Sequence, residues 1–210
     1  SRSQASLPVP VGAQRYSLSW DRQLEGSGVR TLTCADAVCT YRTEAQVPGV
    51  ATLSETSRFS WRDGRVRFAH YERNLQLLFF PQQVHIHRED DGSFSSTRKG
   101  KSRRYAGRDD AVDLLSLEIQ LRADRMAGRA PRASYPLADV KGITEVSLTR
   151  LADETLSVNG ASRKTEVYER RDGQRVTTLW LDPAQAFLTV QIVHRDGAET
   201  YRMIWQGTAG

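Results

Sequence analysis

Two cysteines, two methionines and four lysines are all that this 210-residue chain contains of those three types. It also lacks any run approaching the ~18–20 apolar residues that a membrane-spanning helix needs. There is no Gly-x-Ser-x-Gly elbow to present a nucleophilic serine. There is no phosphate-cradling glycine loop and no His-Glu-x-x-His pair for a catalytic zinc. No internal repeat is visible. These absences remove the readable signatures of a hydrolase elbow, a nucleotide site, a zinc protease and a solenoid. Size leaves room for one large β domain, and hydrophobic residues at 39% suit strands that bury a single face.

What replaces lysine is arginine. Lys99, Lys101, Lys141 and Lys164 are the only lysines among 30 basic residues, and the formal net charge is +5. The guanidinium fork binds carboxylate and phosphate with paired hydrogen bonds, so anionic headgroups, cell-wall polymers and nucleic acids all come into view. A general preference for arginine explains the same composition, since both signs of charge are mixed along the chain.

The two cysteines, Cys34 and Cys39, enclose Ala35-Asp36-Ala37-Val38 and have strand-like sequence on both sides. A hairpin loop of that length brings the two sulfurs face to face. The resulting disulfide would contribute about 2 kcal/mol through loop entropy, and it persists only in an oxidising compartment. Two free, partly buried thiols are the alternative. Zinc would need more ligands than lie nearby. The chain opens at Ser1 on a polar, proline-containing stretch. That reads as a periplasmic or otherwise exported protein with its signal peptide already removed, although a trimmed boundary looks the same.

Turn dipeptides recur: Asp63-Gly64, Asp91-Gly92, Asn159-Gly160, Asp172-Gly173 and Asp196-Gly197. Each accepts the positive φ that tight hairpins require, and each separates segments rich in β-branched and aromatic residues. Leu188, Val190 and Ile192 share one face of a strand by period two, as do Tyr201, Met203 and Trp205. One segment departs from this, Asp109 to Ala127, which predicts a helix. Asp109 or Asp110 would cap it, Gly128 would stop it, and its wide apolar stripe must pack on the sheet. The basic stretch Thr97 to Arg108 reads as a mobile connection or hairpin edge.

The predicted fold is mainly β: a curled antiparallel meander, or an open or spiral β-barrel, with one amphipathic helix packed against it. Residues 1–13 read as a flexible tail and 14–210 as a single domain.

Candidate sites are few. His85 and His87, at i and i+2 on a strand, point the same way and are weak metal candidates that need His70, His194, Glu89 or Asp90 to converge. Solvated histidines with Val84 and Ile86 facing inward are the simpler reading, and no metal or cofactor is expected. Ser116 lies three residues from Asp113 and reads as a polar pair that positions the helix, since no base activates it. Trp20, Trp61, Phe79, Phe80 and Trp180, with Trp205, could line a ligand cavity, and Arg103 and Arg104 could meet an anion at its rim. Core packing explains the aromatics equally. The run Leu77-Leu78-Phe79-Phe80-Pro81 leaves no polar face. One ring, Tyr105, in the basic stretch is too little for stacking on nucleic acid, and no nucleic-acid partner is expected.

Several segments resemble, in order, a bacterial exported family, domain of unknown function family 3108. They are Tyr16 to Trp20, Ser57 to Gly64, Asp113 to Arg122, Leu151 to Gly160 leading into Thr165 to Arg171, and Trp180 to Pro183 followed by Phe187 to Ile192. The likeness spans about Tyr16 to Trp205. Members of that family usually carry export signals, so the resemblance implies an exported β protein and no particular reaction. Cys34 and Cys39 are not part of that pattern.

The function expected from all of this is non-catalytic: a periplasmic or cell-envelope protein that binds a lipid or cell-wall polymer in or beside a curled sheet. An envelope scaffold that takes another protein by a sheet edge or the basic loop is the second reading. A metal-dependent hydrolase is the third.

Overall fold

The turn dipeptides punctuate the chain where the sequence pattern places them. The computed structural model describes residues 5–21, 23–197 and 199–210. Strands β1 (Gly12–Trp20), β2 (Leu24–Ala35), β3 (Val38–Val47), β4 (Ala51–Arg62), β5 (Arg65–Leu77), β6 (Phe80–Arg88), β7 (Phe94–Arg98) and β8 (Lys101–Tyr105) form one antiparallel meander. The one α-helix among the described residues, α1 (Leu114–Met126), follows. Strands β9 (Ser134–Ala138), β10 (Ile143–Arg150), β11 (Glu154–Val158), β12 (Ala161–Asp172), β13 (Arg175–Asp182), β14 (Leu188–Asp196) and β15 (Glu199–Thr208) complete the chain. Asp63 (φ 53°) and Gly64 (φ 76°), and Asn159 (φ 51°) and Gly160 (φ 75°), hold the left-handed conformations that two-residue hairpins need.

The two halves join through β1 and β15, which pair from Gln14–Thr208 to Trp20–Tyr201. The strand order is therefore β8 to β1, then β15 to β12, then β10 and β9, with β11 on the remaining part of β12. The sheet curls without closing, and β8 and β9 are its two ends. A free sheet edge invites pairing with another chain. The β9 edge is covered from within, where Val112 N donates to Pro136 O and Ala138 N donates to Val112 O, each at 2.9 Å.

The helix lies inside the curl. Leu115, Leu117, Ile119, Leu121 and Ala123 are buried, and so are Ser116, Glu118, Gln120, Arg122 and Asp124 between them. The expected amphipathic helix is thus surrounded on all sides, because the sheet wraps round it instead of lying beneath it. Its start also differs from the expected one. Asp113 is the cap, accepting from Leu115 N at 2.9 Å and Ser116 N at 2.8 Å, while Ser116 Oγ accepts from Asp113 N at 3.0 Å. Asp109 and Asp110 stay outside, in ion pairs with Arg67, Arg88, Arg108 and Arg132.

The tail is shorter than the expected 1–13. Val9 is buried in the main core, Leu7 packs against that core, and β1 begins at Gly12. Residues 1–4 lie outside the described residues. One strand departs from its predicted alternation: a bulge opposite Trp180 and Leu181 turns Thr189 inward to Glu118, although Leu188, Val190 and Ile192 all lie in the main core.

Candidate functional site

Inside a curled sheet, alternate residues of every strand face the lumen. The helix fills its lower half. Gln120 ties the far end of α1 to the β4–β5 hairpin, accepting from Val66 N at 2.8 Å. The helix start faces the other end, where the β5–β6, β7–β8, β12–β13 and β14–β15 hairpins project. Between that start and those hairpins lies a cavity of about 1040 Å³. Leu53, Val84, Ile86, Leu179, Ile192 and Met203 supply its apolar wall.

Its floor is a buried polar cluster built on Glu118. Arg30 donates to both oxygens of that carboxylate, at 2.9 and 2.7 Å. Tyr41 Oη donates to it at 2.8 Å and Thr189 Oγ1 at 3.0 Å. Burial would raise the Glu118 carboxyl, but Arg30 and these hydrogen bonds overcome it and hold the group below its usual range. The Arg30 guanidinium also lies over the Tyr41 ring, 4.8 Å from its centre. Every strong group in this cluster is satisfied, so it reads as structure.

Higher in the cavity the balance changes. Arg170, on β12, donates to Leu114 O at 2.9 Å and to Thr177 Oγ1 at 3.1 Å. Among the described residues it forms no ion pair. Burial lowers its affinity for the proton, yet a guanidinium stays charged in a protein. Thr177 Oγ1 accepts from Arg170, so its own proton goes to His194 Nδ1, 2.7 Å away. Burial first, then Arg170, push His194 down to about 4, which leaves a neutral ring. That ring stacks on Tyr201 at 4.9 Å between centres. Opposite, Tyr71 Oη donates to Glu55. Ser57 Oγ donates to Asp113 Oδ2 at 2.6 Å. Burial pushes Asp113 up to about 6, against its hydrogen bonds from Ser57, Ser116 and Leu115.

The cavity is not lined by any of the seven residues singled out for ligand binding from the sequence. Trp61 is buried in the core, as is Trp205. Trp20 ends β1, half-buried. Trp180 lies on the outer side of β13, donating to Glu154 at 2.8 Å. Arg104 is exposed and paired with Asp91 at 2.6 Å. Arg103 is exposed on β8, and Phe79 and Phe80 stand exposed at the β5–β6 tip. Arg170 gave no sequence signal of its own, and His194 entered only as a possible ligand beside His85 and His87. The useful sign was the run Glu118, Gln120, Arg122, Asp124 between helix apolars, which a helix buried all round must satisfy with strand partners.

His85 and His87 do not converge. His87 pairs with Glu89 at 2.8 Å. His85 instead meets His70 and Glu72, with one potential ligand atom of each within 4.8 Å of the others. Ser116 spends its hydroxyl on the helix cap. Cys34 and Cys39 are cross-strand partners joined as a disulfide, their Cα atoms 4.1 Å apart.

No family model matches the chain, so the likeness to family 3108 gains no support there. No curated protein matches it. Among solved structures, the chain is similar to a beta-barrel-like protein of domain of unknown function DUF1849 from Brucella abortus. The two share 11% identity at a TM-score of 0.54, over 93% of this chain and 97% of that one. That likeness extends to the fold: the chain is mostly β, with one helix and an antiparallel curled sheet that does not close.

Proposed function

We propose that this chain is a non-catalytic cell-envelope protein that holds an amphiphile with an anionic head in the lumen of its curled sheet. The observation that carries the reading is Arg170: a half-buried guanidinium, without a carboxylate partner among the described residues, facing a cavity of about 1040 Å³. A charge left unpaired away from bulk water is costly. An anionic group between Arg170 and the helix start would complete it, while the apolar wall receives the chain of the amphiphile. A volume near 1,000 Å³ is at the upper end of ordinary ligand pockets. The disulfide supports an oxidising compartment, and the ordered motifs that resemble family 3108 point to export.

Native mass spectrometry of protein purified from its own envelope fraction tests this. A co-purifying anionic lipid is expected with the wild type, lost with Arg170→Gln and retained in part with Arg170→Lys. If no small molecule accompanies the protein, and dodecanoate fails to raise its melting temperature, the reading falls.

One observation favours the scaffold reading. The outer edge of β8 is a sheet end, and its Lys101, Arg103 and Arg104 are exposed. Crosslinking from position 103 in intact cells should then trap one reproducible envelope protein. Failure to trap any protein, together with recovery of a cavity ligand, rejects that alternative.

A further inference from the structure

Asp-Gly and Asn-Gly dipeptides mark the predicted turns, and the Cys34–Cys39 hairpin turns at Asp36-Ala37 with Asp36 at φ 56°, but no turn-forming residue of that kind stands between β5 and β6. There the turn is Leu78-Phe79. Leu78 holds φ 51°, a conformation that a branched apolar side chain disfavours. The tip is not loosely held, because Leu78 N donates to Val50 O at 3.0 Å and Gln76 Nε2 donates to Leu78 O at 3.1 Å. Leu78, Phe79 and Phe80 are 62%, 88% and 72% exposed. Three adjacent large apolar side chains in water on a fixed, strained turn are a cost to the isolated protein. Neither packing nor turn chemistry accounts for them.

Their position supplies the rest. The tip stands at the open end of the cavity, and Pro81, Gln82 and Gln83 just behind it line that cavity. The β6–β7 ladder begins only at the Val84–Arg98 pair, so the β5–β6 hairpin projects beyond its neighbour by the four residues Phe80 to Gln83. Beside its base lies the β7–β8 hairpin, with Arg98, Lys99, Lys101 and Arg103 exposed and in no ion pair among the described residues. The β9–β10 turn is fastened to the same hairpin by Ser96 Oγ to Val140 O at 2.5 Å and Tyr105 Oη to Asp139 O at 2.5 Å, which places exposed Lys141 nearby. Of the acidic side chains at this end, Asp139 and Asp172 are taken up by Arg175, while Asp21, Asp196 and Glu199 belong to the β1–β2 and β14–β15 hairpins on the far side of the opening.

We infer that the Leu78-Phe79-Phe80 tip inserts into the surface of an anionic bilayer, with the β7–β8 cations resting on its headgroups and the cavity opening toward the membrane. This rests on the proposed amphiphile binding only for its purpose, which is to let a lipid pass between bilayer and lumen without crossing water. Aromatic and leucine side chains embed at the headgroup boundary, and neighbouring basic residues add attraction to anionic lipid. A protein partner with an apolar pocket would not call for the unpaired cations, and a second copy would bring like charges together.

Vesicle flotation with the full chain tests the inference. Wild-type protein is expected to float with phosphatidylglycerol/phosphatidylethanolamine vesicles, and to float far less with phosphatidylcholine vesicles or in high salt. Phe79→Ser/Phe80→Ser should lower partitioning at least about tenfold. Lys99→Ser/Lys101→Ser should lower it on anionic vesicles alone. Both sets of side chains are exposed, and an unchanged near-UV circular dichroism spectrum confirms that the fold is retained. The inference is overturned if the wild type does not float, if the phenylalanine variant floats equally well, or if sedimentation shows a dimer that this variant abolishes. Recovery of a cavity lipid without vesicle binding defeats the inference and leaves the proposed function standing. Vesicle binding with an empty, ligand-indifferent cavity does the reverse.

A separate observation carries a second proposal. On the outer face of the β5–β6 ladder, Glu72 is the cross-strand partner of His85, and His70 lies diagonally, its ring centre 4.4 Å from that of His85 and its Nε2 3.6 Å from Glu72 Oε2. We propose that His70, Glu72 and His85 bind a zinc ion with solvent in the fourth position, as two imidazoles and one carboxylate can. Titration calorimetry with zinc should give one site, lost in His70→Ala and in His85→Ala and kept in His87→Ala. Absence of stoichiometric zinc, or loss in His87→Ala alone, refutes it.

Discussion

At the scale of single residues, the interior is governed by charges that must be satisfied inside a sheet. Arg30 and Glu118 are both almost fully buried, and Tyr41 and Thr189 complete the acceptor sites of the carboxylate. Removing one member leaves the other charged and dry, which costs about 3–5 kcal/mol. Glu118→Ala and Arg30→Ala should each lower the urea-unfolding free energy by that amount. Arg30→Met/Glu118→Met should lose much less than the two single losses together. Additive losses would show that the pair is not coupled. Two further groups set pH dependence, with opposite signs. Asp113, raised by burial to about 6, binds its proton more tightly in the folded chain than in the unfolded one. Its contribution is therefore greatest in acid and is withdrawn as pH rises from about 4 to about 6, by about 3 kcal/mol. His194, lowered to about 4, does the reverse: it stabilises the fold above its unfolded value, and that contribution is lost as pH falls from about 6.5 toward 4. The two slopes oppose each other over nearly one window. Asp113→Asn should make stability climb more steeply with pH there than in the wild type, and His194→Gln should make it climb less or fall. Parallel pH profiles for all three proteins would show that neither group titrates as described.

At the scale of elements, legibility follows from whether a feature is local. The Asp-Gly and Asn-Gly hairpins are written in adjacent residues and stand where the sequence puts them. The disulfide is equally local, since the Cys34–Cys39 pair sits in register on β2 and β3 at the end of a short loop. Cys34→Ser/Cys39→Ser should lower stability by about 2 kcal/mol, the entropy of one small loop, and leave the far-UV spectrum unchanged. A loss of the β signal would mean that the pair nucleates the sheet as well as fastening it. The helix was legible in kind and less so in position. Its start depended on which aspartate meets Ser57 across the lumen, and that contact joins residues 56 positions apart. The bulge that turns Thr189 inward was invisible for the same reason, because it is fixed by pairing with β13 and by Glu118 on the helix. The cavity is the extreme case. Arg170, Thr177 and His194 belong to three strands and read separately as ordinary surface positions, and only the curl brings them together. Phe79 and Phe80 drew notice in the sequence because four large apolar residues in a row deny a strand its polar face. They belong to the cavity opening and not to its lining.

At the scale of the whole molecule, the two halves of the curl are joined by their least local contact. Strands β1 to β8 form hairpins from adjacent segments, and most of β9 to β15 do the same. The two meanders meet at β1 and β15, where Gln14 pairs with Thr208 and Trp20 with Tyr201, and at α1, which both halves surround. Long-range pairing slows folding because the chain entropy of closing the loop is lost before the contact is made. Ala209 N donates to Ala13 O at 2.8 Å, so the first and last strands run side by side to near their ends, and a Gly/Ser linker can join Gly210 to Ala5 without disturbing Val9 in the core. A circular permutant linked there and opened between Arg129 and Ala130, in the exposed turn after α1, turns the β1–β15 ladder into a local hairpin. The same cut separates α1 from β9, whose edge is held by Val112, and leaves that contact to form at longer range. If β1–β15 closure limits folding, the permutant should refold faster than the wild type by stopped-flow fluorescence, with its unfolding rate changed far less. If docking of α1 and its leading segment onto β9 is limiting, the permutant should refold more slowly. The native fold contains both contacts, and the direction of that one rate change decides which of them completes the curl.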